Sequence, residues 1–252
     1  MTHKIALVTG ASAGFGAAIC ARFIRDGYQV IAAARRMDRL NQLKASLGDA
    51  LHPIILDVTD TASVESLLQR LPDELKQIDV LVNNAGLALG LEPAHEVNFA
   101  DWQTMIETNV FGLAKVTHQL LPGMVARNCG HVINIGSVAG TYPYPGGNVY
   151  GATKAFVAQF SRNLRADLAG TAIRVTVVEP GLCSGTEFSN VRFKGNDEKA
   201  AAVYEGVQAL TPEDIAETVG WIAQLPVHFN VNSIEVMPTA QSFNPLKVTR
   251  QS

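Results

Sequence analysis

Tyr150 and Lys154 stand four residues apart at the start of a helical pattern that runs to Leu168. Four residues is about one helical turn, so both side chains leave the same face. An ammonium held near a phenol favours the phenolate. An opposite charge at close range moves a pKa by roughly 1–3 units, here downward, which brings a phenol of ordinary pKa about 10 toward working pH. A tyrosine so placed takes or gives a proton. Ser137 lies thirteen residues upstream, at the end of the apolar run His131–Gly136. That run reads as a buried strand, and the hydroxyl at its end is suited to hold a substrate oxygen beside the phenol. A Tyr-x-x-x-Lys pair alone is common, and a helical tyrosine usually packs. It is the combination with Ser137 and with the features below that points to proton transfer at an oxygen.

The elements that must position these groups alternate along the chain. Short apolar runs at Lys4–Val8, Tyr28–Ala34, Leu51–Leu56, Asp79–Val82, His131–Gly136, Ala172–Val178 and Ser233–Val236 read as seven strands, with helical patterns between them. Such alternation predicts a single-domain α/β fold with a doubly wound parallel sheet. Thr9-Gly-Ala-Ser-Ala-Gly-Phe-Gly16 directly follows the first strand and precedes a helix. Glycines there let backbone N–H groups approach a pyrophosphate, with the helix N-terminus adding positive potential. The spacing is Gly-x-x-x-Gly-x-Gly rather than Gly-x-Gly-x-x-Gly. The second strand ends at Ala34 and is followed by Arg35-Arg36, where an NAD-binding fold usually carries Asp or Glu for the ribose. Guanidinium groups pair with a phosphate, so the pattern points to NADP rather than NAD. Asp57 closes the third strand, either as a contact for an adenine amino group or as a helix-start carboxylate, with Thr59 or Asp60 as the cap.

Asn83-Asn84-Ala85-Gly86 follows the fourth strand, where ligands of open α/β sheets bind. Its small residues let a cofactor lie against the backbone, and its amides are suited to hold neighbouring strands. Leu87–Asn98 reads as a loop and Phe99–Arg127 as a long helix. Asn109 falls inside that helix, where an amide competes with the backbone. Either it is a satisfied buried amide, or the side chain or a bent backbone holds a water. Glu179-Pro-Gly181 is expected to break the sixth strand. The polar stretch Leu182–Asn196, within a substrate loop of about 182–210, borders the pocket as a mobile lid. Arg192 and Lys194 in it are candidates for a substrate carboxylate. Thr211-Pro-Glu-Asp214 starts a helix that runs to about Leu225. The tail, 237–252, is expected to be disordered or docked on another subunit.

The chain of 252 residues carries a net charge of −3 and no basic block, which gives nucleic-acid or membrane-surface binding no electrostatic support. Cys20, Cys129 and Cys183 are odd in number and scattered, as free thiols in a reducing compartment are. No cysteine–histidine spacing suggests a metal site. With no signal-peptide layout and no apolar run near the roughly 18 residues of a span, a soluble cytoplasmic protein is expected.

Four motifs thus stand in order: Thr9-Gly10…Gly14…Gly16, Asn83-Asn84-Ala85-Gly86, Ser137 and Tyr150…Lys154. Together they resemble the short-chain dehydrogenase/reductase family over essentially the whole chain. Leu121–Val125, Gly146–Phe156 and Gly185–Gly195 further resemble the bacterial NADP-dependent 3-hydroxy acid dehydrogenases, also described as L-allo-threonine or serine dehydrogenases and as malonic semialdehyde reductases. The resemblance implies a Rossmann fold and a set of roles. Tyr150 is the acid/base, Lys154 holds the nicotinamide ribose and lowers the Tyr150 pKa, Ser137 orients the substrate oxygen, and Asn109 anchors a water in the proton path. It implies that Gly10, Ala11, Ser12, Ala13, Gly14, Phe15 and Gly16 wrap the phosphates. Arg35 and Arg36 bind the 2′-phosphate, Asp57 and Val58 touch the adenine, and Asn84, Ala85 and Gly86 run along the cofactor. Pro180, Gly181, Leu182, Cys183, Thr186 and Phe188 cover the nicotinamide. Cys183-Ser184 stands where the family leads one to expect glycine or small apolar residues, with consequences for substrate range or oxidant sensitivity. The implied partners are NADP(H), a short hydroxy acid or carbonyl substrate, and copies of the chain in a homotetramer. A broad carbonyl reductase and a non-catalytic NADP-binding protein remain the alternatives.

Overall fold

A computed structural model of the chain describes residues 3–242. Its centre is a seven-stranded sheet in the order β3-β2-β1-β4-β5-β6-β7, with every neighbouring pair parallel. The strands are β1 (Ile5–Thr9), β2 (Gln29–Ala34), β3 (Leu51–Ile55), β4 (Val80–Asn83), β5 (Gly130–Ile135), β6 (Ile173–Pro180) and β7 (Ser233–Val236). Successive residues of a strand face opposite sides, and β1 shows both cores at once. Ala6 and Val8 pack under Ile19 and Phe23 of α1 (Gly14–Arg25) and Ile215, Val219 and Ile222 of α10 (Pro212–Gln224). Leu7 faces the other way, among Val116 and Leu120 of α6 (Leu113–Arg127) and Leu164 of α7 (Asn148–Asp167). Cover on both faces is why the inner strands read as unbroken apolar runs.

The strand order reverses between β1 and β4, which opens a crevice beyond their carboxyl ends. Hydrogen bonds between asparagines tie the floor of this crevice together. Asn83 Nδ2 donates to Asn134 Oδ1 on β5 at 2.8 Å and to Thr117 Oγ1 on α6 at 2.9 Å, and Asn134 Nδ2 donates to Ser161 Oγ on α7 at 2.9 Å. The expected role of this motif in holding strands is met.

The remaining elements on the β2–β3 side are α2 (Met37–Leu47), α3 (Thr61–Glu65) and α4 (Leu67–Arg70). Asp60 Oδ1 caps α3 by accepting from Ala62 N at 3.0 Å, so the cap is Asp60 and not Thr59. The long helical stretch is α5 (Phe99–Ile106), a π-helical turn (Glu107–Gly112) and α6. Asn128 ends it in a left-handed conformation at φ 48°.

Two expectations are corrected. Glu179 and Pro180 do not break β6 but pair with Glu235 and Val236. The N–H groups of Val177 and Gly181 point to β7, so that of residue 180 would point to β5, which has already ended opposite Val178. Proline costs no ladder bond at such a place. The polar stretch after it is also not plain loop, for it holds α8 (Phe188–Arg192), with α9 (Asp197–Ala202) beyond. No described helix is long and apolar enough to cross a membrane. Of the tail, Gln241 accepts a 2.7 Å hydrogen bond from Leu182 N; residues 243–252 lie outside the described residues.

Candidate active site

The crevice widens into a cavity of about 560 Å³ that brings Ser137, Tyr150 and Lys154 together with the glycine-rich turn and α8. Ser137 follows β5, held by an Ala139 N–H donating to its Oγ at 3.1 Å. Tyr150 and Lys154 project from the first turns of α7, one turn apart and both buried. Lys154 Nζ donates to Ile135 O at 2.8 Å and lies 5.9 Å from the centre of the Tyr150 ring.

The electrostatics differ from the expected lowering of the phenol by Lys154. Burial pushes Tyr150 up to about 12, against the pull of the Ser137 hydroxyl and the Arg192 guanidinium. Burial likewise pushes Lys154 down to about 8. The cause is that both groups have left water, which disfavours the charged form of each. The cation nearest the Tyr150 ring centre is Arg192, at 5.1 Å.

Asn109 is a fully used amide. Its Oδ1 accepts from Leu87 N at 2.9 Å, and its Nδ2 donates to Leu87 O at 2.8 Å and Thr153 Oγ1 at 3.1 Å. It also sits in the π-helical turn. The side chain is thus a satisfied buried amide, and the backbone around it is irregular. π turns of this kind are frequent at functional sites.

The glycine-rich turn lies against the backbone of the β4 end. A Cβ on Gly16 would meet Gly10 O at 2.4 Å, and one on Gly10 would meet Ala85 Cα at 2.9 Å. Asn84 Nδ2 donates to Thr9 O at 2.9 Å, fixing the turn from across the crevice. Ala13, at the N-cap of α1, offers no side-chain cap, whereas α3, α5 and α10 are capped by Asp60, Asn98 and Thr211. The first N–H groups of α1 are therefore available to an anion, as a dinucleotide phosphate needs. Gly10, Ala13, Gly14, Phe15, Asn84, Ala85 and Gly86 line the cavity, while Ala11 is buried beneath it.

After β2, Arg35 and Arg36 are both exposed and neither lines the cavity. Arg36 donates to Ser12 Oγ at 3.0 Å and to Glu187 Oε2 at 2.7 Å. Asp57 is not the helix cap; its Oδ1 accepts from Thr59 N and Oγ1 at 3.0 and 2.8 Å. Val58 is packed against Gly112 of the π turn. Neither Asp57 nor Val58 borders the cavity.

The segment after β6 covers the site. Pro180, Gly181, Leu182, Cys183, Thr186 and Phe188 line the cavity. Burial pushes the Cys183 thiol up to about 12, which keeps it protonated and a poor nucleophile. Arg192 lies over three rings, 5.0 Å from the centre of Phe188, 5.1 Å from Tyr150 and 5.8 Å from Tyr144. It donates from Nη2 to Tyr144 OH at 2.7 Å, and its buried Nε has no partner among the described residues. Lys194 is not brought to the cavity: its ammonium pairs with Asp101 at 2.7 Å, on the outer side.

Residues 4–197 match the model of the short chain dehydrogenase family. The chain belongs to that family. It is 60% identical over 247 residues to the NADP-dependent 3-hydroxy acid dehydrogenase YdfG of Escherichia coli (strain K12), covering 98% of this chain and 100% of that protein. It is 52% identical over 246 residues, 98% of each chain, to the serine 3-dehydrogenase of Rhizobium radiobacter. A solved closed form of serine dehydrogenase in complex with NADP+ superimposes with a TM-score of 0.97 at 60% identity, covering 98% of this chain and 100% of that one.

Three further pocket residues make contacts that the sequence does not carry. Tyr144 holds Arg192, Gln241 receives Leu182 N, and Glu187 engages Arg36. The partners of Tyr144 and Glu187 lie 48 and 151 positions away. No local pattern carries such pairings.

Proposed function

We propose that the chain is an NADP(H)-dependent dehydrogenase that interconverts a short 3-hydroxy acid with its 3-oxo acid or semialdehyde. L-serine, L-allo-threonine and 3-hydroxypropionate are the substrates in view. The names of the relatives support this reading, and one observation carries the substrate class. Arg192, with an unpartnered Nε, is the cation that faces the Tyr150 ring from the lid. A guanidinium there suits a carboxylate a few atoms from the reacting carbon.

When bound, NADP+ supplies a positively charged hydride acceptor and NADPH a donor. The uncapped α1 N-terminus and the glycine turn receive its phosphates, and Arg36, with Arg35, receives the 2′-phosphate. In oxidation Tyr150, as its phenolate, takes the hydroxyl proton as the carbinol C–H electron pair departs as hydride and the C=O bond forms. In reduction Tyr150 returns that proton to the oxygen. Ser137 donates a hydrogen bond to the same oxygen and holds it beside the phenol, which stabilises developing negative charge. Lys154 places positive charge behind the ring. The irregular backbone of the π turn at Asn109 is suited to hold a water in the proton path.

Exposed apolar side chains on the helices behind the site, Phe99, Phe111 and Phe156, support a homotetramer built on these faces. Cys20, Cys129 and Cys183 are unpaired, in keeping with the cytoplasm.

The test is a rate comparison, with NADP(H) and NAD(H) in parallel, on a 3-hydroxy acid and its methyl ester. The expected result is at least about tenfold higher kcat/KM for the acid, as one charged hydrogen bond supplies. Equal rates on acid and ester would remove the carboxylate contact and favour a broad carbonyl reductase.

A further inference from the structure

Beyond its place in the lid, Glu187 has a chemistry of its own. The Arg36 guanidinium is used on both edges. Its Nε and Nη2 donate to Ser12 Oγ at 3.3 and 3.0 Å, and its Nη1 and Nη2 donate to Glu187 at 3.2 and 2.7 Å. The second pair is the fork-to-fork arrangement by which arginine also takes a phosphate. Thr186, next in the chain, rests on Gly14, where an added Cβ would meet Thr186 Cγ2 at 3.1 Å. The lid therefore touches the cofactor groove at two adjacent points, one apolar and one ionic.

The ionic point is not a structural ion pair. Both side chains are nearly half exposed, at 43% and 46%, and such pairs are readily exchanged. Glu187 also feels the charge of Arg39, so a positive neighbour remains if Arg36 turns away. We propose that Glu187 is a specificity-determining residue that competes with the 2′-phosphate of NADP(H) for Arg36. The inference rests on the reading that Arg36 binds that phosphate. A dianion and a carboxylate held by one guanidinium repel each other, so phosphate binding displaces Glu187. NAD(H), which has no 2′-phosphate, leaves the pair intact. Glu187 thus narrows the preference for NADP(H) that Arg36 creates.

Calorimetric titration of NADP+ and NAD+ into wild type, Glu187→Gln, Arg36→Gln and the double variant tests this. Glu187→Gln is expected to tighten NADP+ by about two- to fivefold, the range of an exposed ion pair, and to leave NAD+ unchanged. In the Arg36→Gln background the same change is expected to have no effect on NADP+. Weaker NADP+ binding in Glu187→Gln, an equal shift for both cofactors, or an effect that persists without Arg36 overturns the inference while leaving the Arg36 reading standing. If Arg36→Gln itself leaves the NADP+ to NAD+ ratio unchanged, the Arg36 reading fails and the inference falls with it.

Discussion

Lys154 and Tyr150 share one face of α7, yet the ammonium is bound to the Ile135 carbonyl at 2.8 Å and stands 5.9 Å from the phenol ring centre. Phe188 and Arg192 hold the ring from the lid side. A phenyl ring keeps those contacts and loses only the hydroxyl. Tyr150→Phe is therefore expected to fold and to bind NADP(H) as wild type does. Its turnover should fall by about 10²- to 10⁴-fold, the span of a lost acid/base group. Substantial residual activity in a steady-state NADPH absorbance assay would show that the proton moves elsewhere.

Burial of Lys154 has a consequence for stability. The folded pKa is about 8, below the ordinary value of 10.5. Between those two values the unfolded chain binds a proton that the folded chain does not, so this group makes stability rise with pH across that window. Lys154→Met removes the buried charge. Its denaturant-unfolding free energy at pH 7 is expected to exceed that of wild type. The difference should shrink by about 1–3 kcal/mol as pH is raised toward 10. A gap that widens with pH would contradict the assignment.

The sheet was legible because most of its strands are short, largely apolar runs that alternate with helical patterns, and because both faces are covered. The grouping of Ser137, Tyr150 and Lys154 in one cavity was legible because its spacing is local: one helical turn for Tyr150 and Lys154, one strand end for Ser137. What was not legible depends on partners distant in the chain. Pro180 is tolerated in β6 only because β5 ends opposite Val178. The phenol is raised instead of lowered because burial, which spacing does not reveal, outweighs the nearby charges. Arg192 and Lys194 are two apart, and residues at that spacing near a helix end do not face the same way. Only one of the two could enter the cavity, and tertiary contacts with Tyr144 and Asp101 decide which.

Arg192→Gln tests the substrate contact directly. Glutamine keeps much of the stem and loses the charge. The kcat/KM for a 3-hydroxy acid is expected to fall by about 10- to 100-fold, in line with a charged hydrogen bond, while that for the methyl ester stays near its wild-type value. Parallel kinetics on the two substrates read this out. An equal fall for both would assign Arg192 to holding the lid and the Tyr150 ring.

Gly16 has no room for a side chain, since a Cβ would sit 2.4 Å from Gly10 O and 2.8 Å from Ala11 Cα. Both neighbours are backbone, so the turn itself must shift. Gly16→Ala is expected to lower stability by about 1–3 kcal/mol, as overpacking does. It should also weaken NADP+ by at least about tenfold, because the α1 N–H groups move with the turn. Thermal unfolding and fluorescence titration of the cofactor check the two effects, and normal cofactor affinity would place the phosphates away from this turn.

Asn109 satisfies both backbone groups of Leu87 and also reaches Thr153, so it joins the loop after β4 to α7 behind the active site. Asn109→Ala leaves the N–H and C=O of Leu87 without that partner, at a cost of about 1–3 kcal/mol for each group that stays buried. Asn109→Asp keeps the acceptor for Leu87 N but sets a carboxylate against Leu87 O, so it should restore little. Both variants are expected to lower the unfolding midpoint. If the π turn also serves the proton path, they should depress kcat more than the KM for NADP+. Hydrogen exchange separates the two roles: loss of protection confined to the Leu87 loop with kcat unchanged would leave Asn109 a purely structural amide.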